Sequence, residues 1–112
     1  MKKDVITYDD FVKLDIRIGK VLEAQVPEGS KKLIELTVDL GEDYGTVTIF
    51  TGMLEYYQPE EFIGKKFQFV ANLAPRKMMG KESQGMLMSA DEEGKPLLIE
   101  FNENTPLGLI VR

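Results

Sequence analysis

Apolar residues recur at every second position through most of this chain, and a run with that period buries one face only as a β-strand. They fall at Val12, Leu14, Ile16, Ile18, Leu22, Ala24 and Val26, with Lys13, Asp15, Arg17 and Glu23 between them and Lys20 as the one defect. The pattern predicts a long first strand from Val12 to Val26, and Gly19 marks a bend or bulge within it. Pro27–Ser30 reads as a turn. A second strand places Ile34, Leu36, Val38 and Leu40 inward and Glu35, Thr37 and Asp39 outward. Gly41–Gly45 then connects to a third strand, Thr46–Thr51.

The period breaks once. Gln58–Gly64 has Pro59 near a helix start, Glu60 and Glu61 in the first turn and Gly64 at the stop, the signals of a helix of one or two turns. Alternation returns in Phe67–Leu73 and in Gln84–Ala90. Three strands, a short helix and two strands is the order of an all-β, five-stranded Greek-key OB-fold barrel with its helix between strands three and four. A long, bent first strand serves both sheets of such a barrel. An SH3-like or other small barrel accounts for the strands but less naturally for the helix.

At 112 residues, with no repeat or linker, the chain reads as one domain: a barrel over about residues 10–90 and an extension over 91–112. Both ends are apolar, with Val5, Ile6, Tyr8 and Phe11 at one and Leu107, Leu109, Ile110 and Val111 at the other. Leu97, Ile99 and Phe101 alternate between them. These ends are expected either to form a subunit interface, making a homodimer, or to cover a barrel end.

Composition narrows the function. The chain has no cysteine and no histidine, so thiolate chemistry, imidazole bases and the commonest metal ligands are absent. The carboxylate clusters Asp9–Asp10, Glu60–Glu61 and Asp91–Glu93 fit element starts and a solvated turn, and none converges in sequence with a nucleophile. No enzyme activity, cofactor or metal is expected. There is no secretory signal or stretch of ~20 apolar residues, so a cytoplasmic location without membrane contact is expected.

The net charge of −5 seems to argue against a polyanionic ligand, but the local field decides. From Phe62 to Lys81 there is no acidic residue, and Lys65, Lys66, Arg76, Lys77 and Lys81 form a basic strip, leaving −10 on the rest of the chain. Much of the strip lies in the connection between strands four and five, one of two loops that flank the nucleic-acid groove of an OB-fold. Arg76, Lys77 and Lys81 suit phosphates; Asn72, Ser83 and Gln84 suit sugar hydroxyls or base edges. From charge alone, a solvated turn explains the same residues. Met86 and Met88 share a strand face and are expected to pack, with Met78 and Met79 capping the barrel. Phe50, Phe67 and Phe69 read as core, which makes a stacking platform for single strands less attractive than recognition of a folded RNA.

Several segments together carry a family resemblance. They include Asp10–Ile18, Glu28-Gly29-Ser30 with Lys32-Leu33, Val38–Gly41, Pro59-Glu60-Glu61 with Gly64-Lys65, and above all Val70–Met78 and Glu82–Met86. Over residues 8–90 the chain resembles the tRNA-binding domain appended to bacterial methionyl-tRNA synthetases and found also as free-standing small tRNA-binding proteins. The resemblance implies an OB-fold, a homodimer and non-catalytic binding of tRNA by shape, with methionyl-tRNA synthetase as a possible partner. It places Asn72, Arg76, Lys77, Ser83 and Met86 on the binding face and Lys32 in the loop after strand one. Small secretion-related chaperones of the same family offer an alternative, a dimeric protein-interaction module. Two positions depart from the family pattern: Lys31 stands where an acid is common, and Thr46–Gly52 lacks the frequent basic residue of strand three.

Overall fold

Thr7 starts a helix where alternation alone gave no boundary. Its hydroxyl accepts the Asp10 N–H at 3.1 Å while the Asp10 carboxylate accepts the Thr7 N–H, a capping box that sets α1, Tyr8–Phe11. The computed structural model describes residues 1–112 and continues with β1 (Ile16–Gln25), β2 (Ile34–Asp39) and β3 (Thr46–Thr51). A single 3-10 turn at Pro59–Glu61 follows, then β4 (Lys66–Val70), β5 (Arg76–Met78), β6 (Lys81–Ser83), β7 (Met86–Leu87), β8 (Ser89–Glu92) and β9 (Lys95–Leu98).

The first strand therefore begins at Ile16, not Val12, and Val12 and Leu14 are exposed in the turn after α1. Its phase also differs from the expected one. Gly19 and Val21, not Leu22, face the main core: a Cβ on Gly19 would meet Leu40, Val38 and Phe69 side-chain atoms at 2.8–3.0 Å. Leu22 is an extra residue between the Val21↔Val38 and Glu23↔Thr37 pairs, and this bulge turns it outward while Ala24 returns to the core. Ile16 and Ile18 lie on the opposite face of β1 and are buried there with Val70, their neighbour on β4, outside the main cluster. Lys20 looked like a defect only because the alternation was read through a bulge.

β3 matches its expected bounds and β2 ends at Asp39, one residue before Leu40, while Ile34, Leu36, Val38 and Leu40 are fully buried as expected. The antiparallel sheet runs in the order β3-β2-β1-β4-β7. The segment leading into β7 closes on β3, since the Gln84 N–H donates to the Thr48 carbonyl at 2.8 Å and the Phe50 N–H to Ser83 Oγ at 3.0 Å. The result is an all-β, nearly closed barrel with almost no helix, consistent with an OB-like fold. Phe62, Phe67 and Phe69 fill its interior with tilted and edge-on ring contacts 6.0–6.5 Å apart.

The strand expected over Gln84–Ala90 is divided. β7 has two residues, and β8 leaves the sheet to pair with β9 in a separate hairpin. The tail then returns to the barrel. The Phe101 N–H donates to the Lys66 carbonyl, and residues 108–111 run along Ile16–Ile18 through three backbone hydrogen bonds of 2.8–3.0 Å. No helix is long and apolar enough to cross a membrane.

Candidate nucleic-acid interface

After β4 the chain is tied down at once, the Ala71 N–H donating to the Asp15 carbonyl at 2.7 Å. Residues 76–83 then form an ordered arm rather than an open loop. β5 and β6 pair Arg76 with Ser83, Lys77 with Glu82 and Met78 with Lys81. The tip, Met79-Gly80, has φ of 52° and 79°, the two positive values of a two-residue hairpin turn that matches strand twist. Directly paired residues share a face, so Arg76, Met78, Lys81 and Ser83 look one way and Lys77 and Glu82 the other. Ser83 is buried, so the first of these faces is turned towards the barrel.

The arm covers the outside of β2 and β3. Glu35 and Phe50 are paired across these strands and both are buried, although neither belongs to the main core. Ser83 accepts the Phe50 N–H, and Lys81 Nζ donates to Glu35 Oε2 at 2.8 Å. Glu35, expected to point into solvent, is only 9% exposed in its side chain.

The sequence-derived candidates divide by what holds them. Arg76 and Lys77 are exposed and enter none of the chain's ion pairs. Lys32 is exposed in the β1–β2 loop, three residues before Glu35, so its Cα lies within about 11 Å of that residue's. Lys81 is engaged by Glu35. Ser83 is buried under the arm, and its hydroxyl serves the β3 backbone. Asn72 accepts the Asp15 N–H at 2.8 Å and donates to the Lys13 carbonyl at 2.7 Å, so its amide joins the start of β1 to the end of β4. Gln84 is exposed and lines an open cleft of about 590 Å³ with Asn72, Tyr44, Thr46 and Pro75.

Met86 lies on β7 and is 49% exposed, so it does not pack as expected. Met79 is likewise about half exposed, at the arm's tip rather than over a barrel end. The basic strip is also divided in space. Lys66 Nζ donates to the Glu103 and Thr105 carbonyls and Lys65 pairs with Glu100 at 3.9 Å, so both serve the tail. Only Arg76, Lys77 and Lys81 belong to the arm, because β4 carries the chain from one end of the strip to the other.

A second polar cluster fixes the ground on which this face stands. Arg17 donates from Nε to Asp15 at 2.6 Å, and from Nη1 to Asp43 at 2.9 Å and the Gly108 carbonyl at 3.1 Å. The Tyr44 hydroxyl donates to Asp15, and its ring lies under the guanidinium at 5.3 Å. The Arg17 hydrogen bond holds the Asp15 carboxyl below its ordinary pKa, and hydrogen bonding to Asp15 raises that of Tyr44. Sequence reading missed Glu35, Tyr44 and the arm itself. The Met79-Gly80 pair flanked by three-residue runs was the available signal for the arm.

A family model described as "Putative tRNA binding domain" matches residues 16–109. The chain is 46% identical over 107 residues to a methionine–tRNA ligase of Caldanaerobacter subterraneus, covering 96% of this chain and 16% of the ligase. It thus spans about a sixth of the length of the curated relatives it matches. Among solved structures, a MetRS related protein from Pyrococcus horikoshii superposes with a TM-score of 0.92 at 43% identity, over 98% of this chain and all of that one. The chaperone CsaA from Bacillus anthracis superposes with a TM-score of 0.84 at 28% identity, over 97% of this chain and all of that one.

Proposed function

The chain belongs to this tRNA-binding domain family, and from that premise we propose that it binds tRNA by shape and backbone contacts and performs no chemistry itself. The observation that carries the proposal is the arm: an ordered hairpin that holds two unpaired cations, Arg76 and Lys77, beside an open cleft. A folded RNA presents phosphates and sugar hydroxyls to such a surface, which needs no deep pocket. Lys32 and Gln84 extend the surface towards the β1–β2 loop and the cleft, and the exposed thioether of Met86 adds an apolar contact.

We read the barrel as a five-stranded Greek-key OB-fold with its 3-10 turn between strands three and four, and residues 1–112 as one binding unit. It acts in the cytoplasm as a free-standing protein or as an auxiliary part of methionyl-tRNA synthetase, and as a homodimer. The likeness to a chaperone supports a second reading, a dimeric protein-interaction module.

Filter binding with bulk tRNA over a salt series tests the first reading. Arg76→Ala with Lys77→Ala should weaken binding and flatten the log–log salt slope by about 1.4–1.8, two contacts' worth. Wild-type protein that retains no tRNA at low salt overturns the proposal and leaves the second reading standing.

A further inference from the structure

A carboxylate buried beneath an arm that carries unpaired cations is an odd feature of a polyanion-binding face. Glu35 is on β2, the second strand of the sheet, and the one hydrogen bond its carboxylate accepts comes from Lys81. We propose that Glu35 and Lys81 form a latch that docks the β5–β6 arm on the barrel. Lys81 is then a positioning residue for Arg76 and Lys77 and not a phosphate contact. The proposal rests on the tRNA-binding reading for its functional consequence, but the latch itself is a property of the free protein.

Three observations support it. First, an isolated two-stranded hairpin is marginal in water, so a three-residue ladder needs anchors to hold a fixed place. The arm has one near its base, Ser83 on the Phe50 N–H, and Lys81 supplies the other, one residue from the tip. Second, the two ends of the ion pair differ: the Glu35 side chain is 9% exposed and that of Lys81 55%. Removing Lys81 leaves a buried charge without a partner, which is far costlier than removing an exposed pair. Third, a phosphate that took Lys81 would strand Glu35 and set two anions side by side, whereas Arg76 and Lys77 are available at no such cost.

The test compares Lys81→Met, Glu35→Gln, the double variant and Arg76→Ala in two measurements. One is hydrogen exchange of the amides of residues 76–83 in the free protein; the other is tRNA filter binding over a salt series. The latch predicts exchange faster by tenfold or more in the arm for Lys81→Met and Glu35→Gln, with the barrel strands unchanged. Both variants should bind tRNA about 3- to 10-fold more weakly at an unchanged salt slope, and the double variant no worse than either single one. Arg76→Ala should instead lower the slope by about 0.7–0.9. The result for Glu35→Gln decides most, because removing a negative charge from a polyanion-binding face should otherwise tighten binding. Tighter binding by Glu35→Gln, or a Lys81→Met slope reduced by one contact with arm exchange unchanged, overturns the latch. Wild-type protein that fails to bind tRNA defeats the functional reading, while the exchange rates still decide whether the latch exists.

Discussion

Arg17 joins three parts of the chain that are far apart in sequence. It holds Asp15 beside it, Asp43 in the β2–β3 turn and the Gly108 carbonyl 91 residues away. Its side chain is 11% exposed and that of Asp15 24%, so the pair is shielded enough to matter, unlike an open surface pair. Replacing Asp15 with Asn removes the charge opposite a mostly buried guanidinium and should cost about 2 kcal/mol at neutral pH. The acid dependence follows from the direction of the Asp15 shift. Its pKa is lowered from 3.8 in the folded state, so its contribution is complete above that value and is lost as pH falls through the lowered one. Urea unfolding from pH 2 to 7 should show wild-type stability falling below about pH 4 and a flatter profile for Asp15→Asn; parallel profiles would remove Asp15 from the account. None of this was legible in the sequence. Asp15 read as one of the polar residues between inward apolar ones, and alternation does not report that Tyr44, 29 residues on, donates to it.

At the scale of elements, β1 shows what alternation conveys and where it misleads. The presence of the strand, a special role for Gly19, the inward set of β2 and the bounds of β3 were all readable, because a half-buried strand writes its period into the chain. The face was not readable. β1 buries Ile16 and Ile18 on one side and Gly19 and Val21 on the other, and Leu22 bulges out, so three apolar residues with the right spacing do not share a core. Gly19 belongs to the inward set, where its missing side chain makes room for Leu40, Val38 and Phe69. Gly19→Ala should therefore overpack the barrel and cost about 1–3 kcal/mol, read as a lower urea midpoint with an unchanged m-value. A wild-type midpoint would mean that the neighbouring side chains move aside freely. The arm was hidden for a different reason. Its strands have three residues each, too short to display a period, and its acidic partner Glu35 looked like an ordinary outward position.

Across the whole molecule, the two apolar ends meet. The tail lies along β1 through residues 108–111, and α1 stands beside it, so Tyr8, Phe11, Val12, Leu14, Ile110 and Val111 border one pocket of about 370 Å³. α1 buries none of its own residues, yet it is capped and formed; Tyr8 is 76% exposed and Val12 and Ile110 51% each. A short amphipathic element of this kind gains most of its stability from an apolar face packed on something. The alternative expectation, that the ends simply cover the barrel, describes the backbone of the tail but leaves these side chains in water. We propose that a second copy covers the patch, because a two-fold axis would set the same surface against itself and bury both at once. Sedimentation at micromolar concentration should then give a dimer for the wild type. Ile110→Glu should give a monomer whose β-sheet circular dichroism is retained, since the Ile110 side chain is not part of the core. If tRNA contacts the arms of both subunits, the monomer should also bind more weakly than either salt slope or arm geometry explains, through loss of avidity. A wild type that sediments as a monomer would leave the patch without a second copy and move the question to a partner of a different kind.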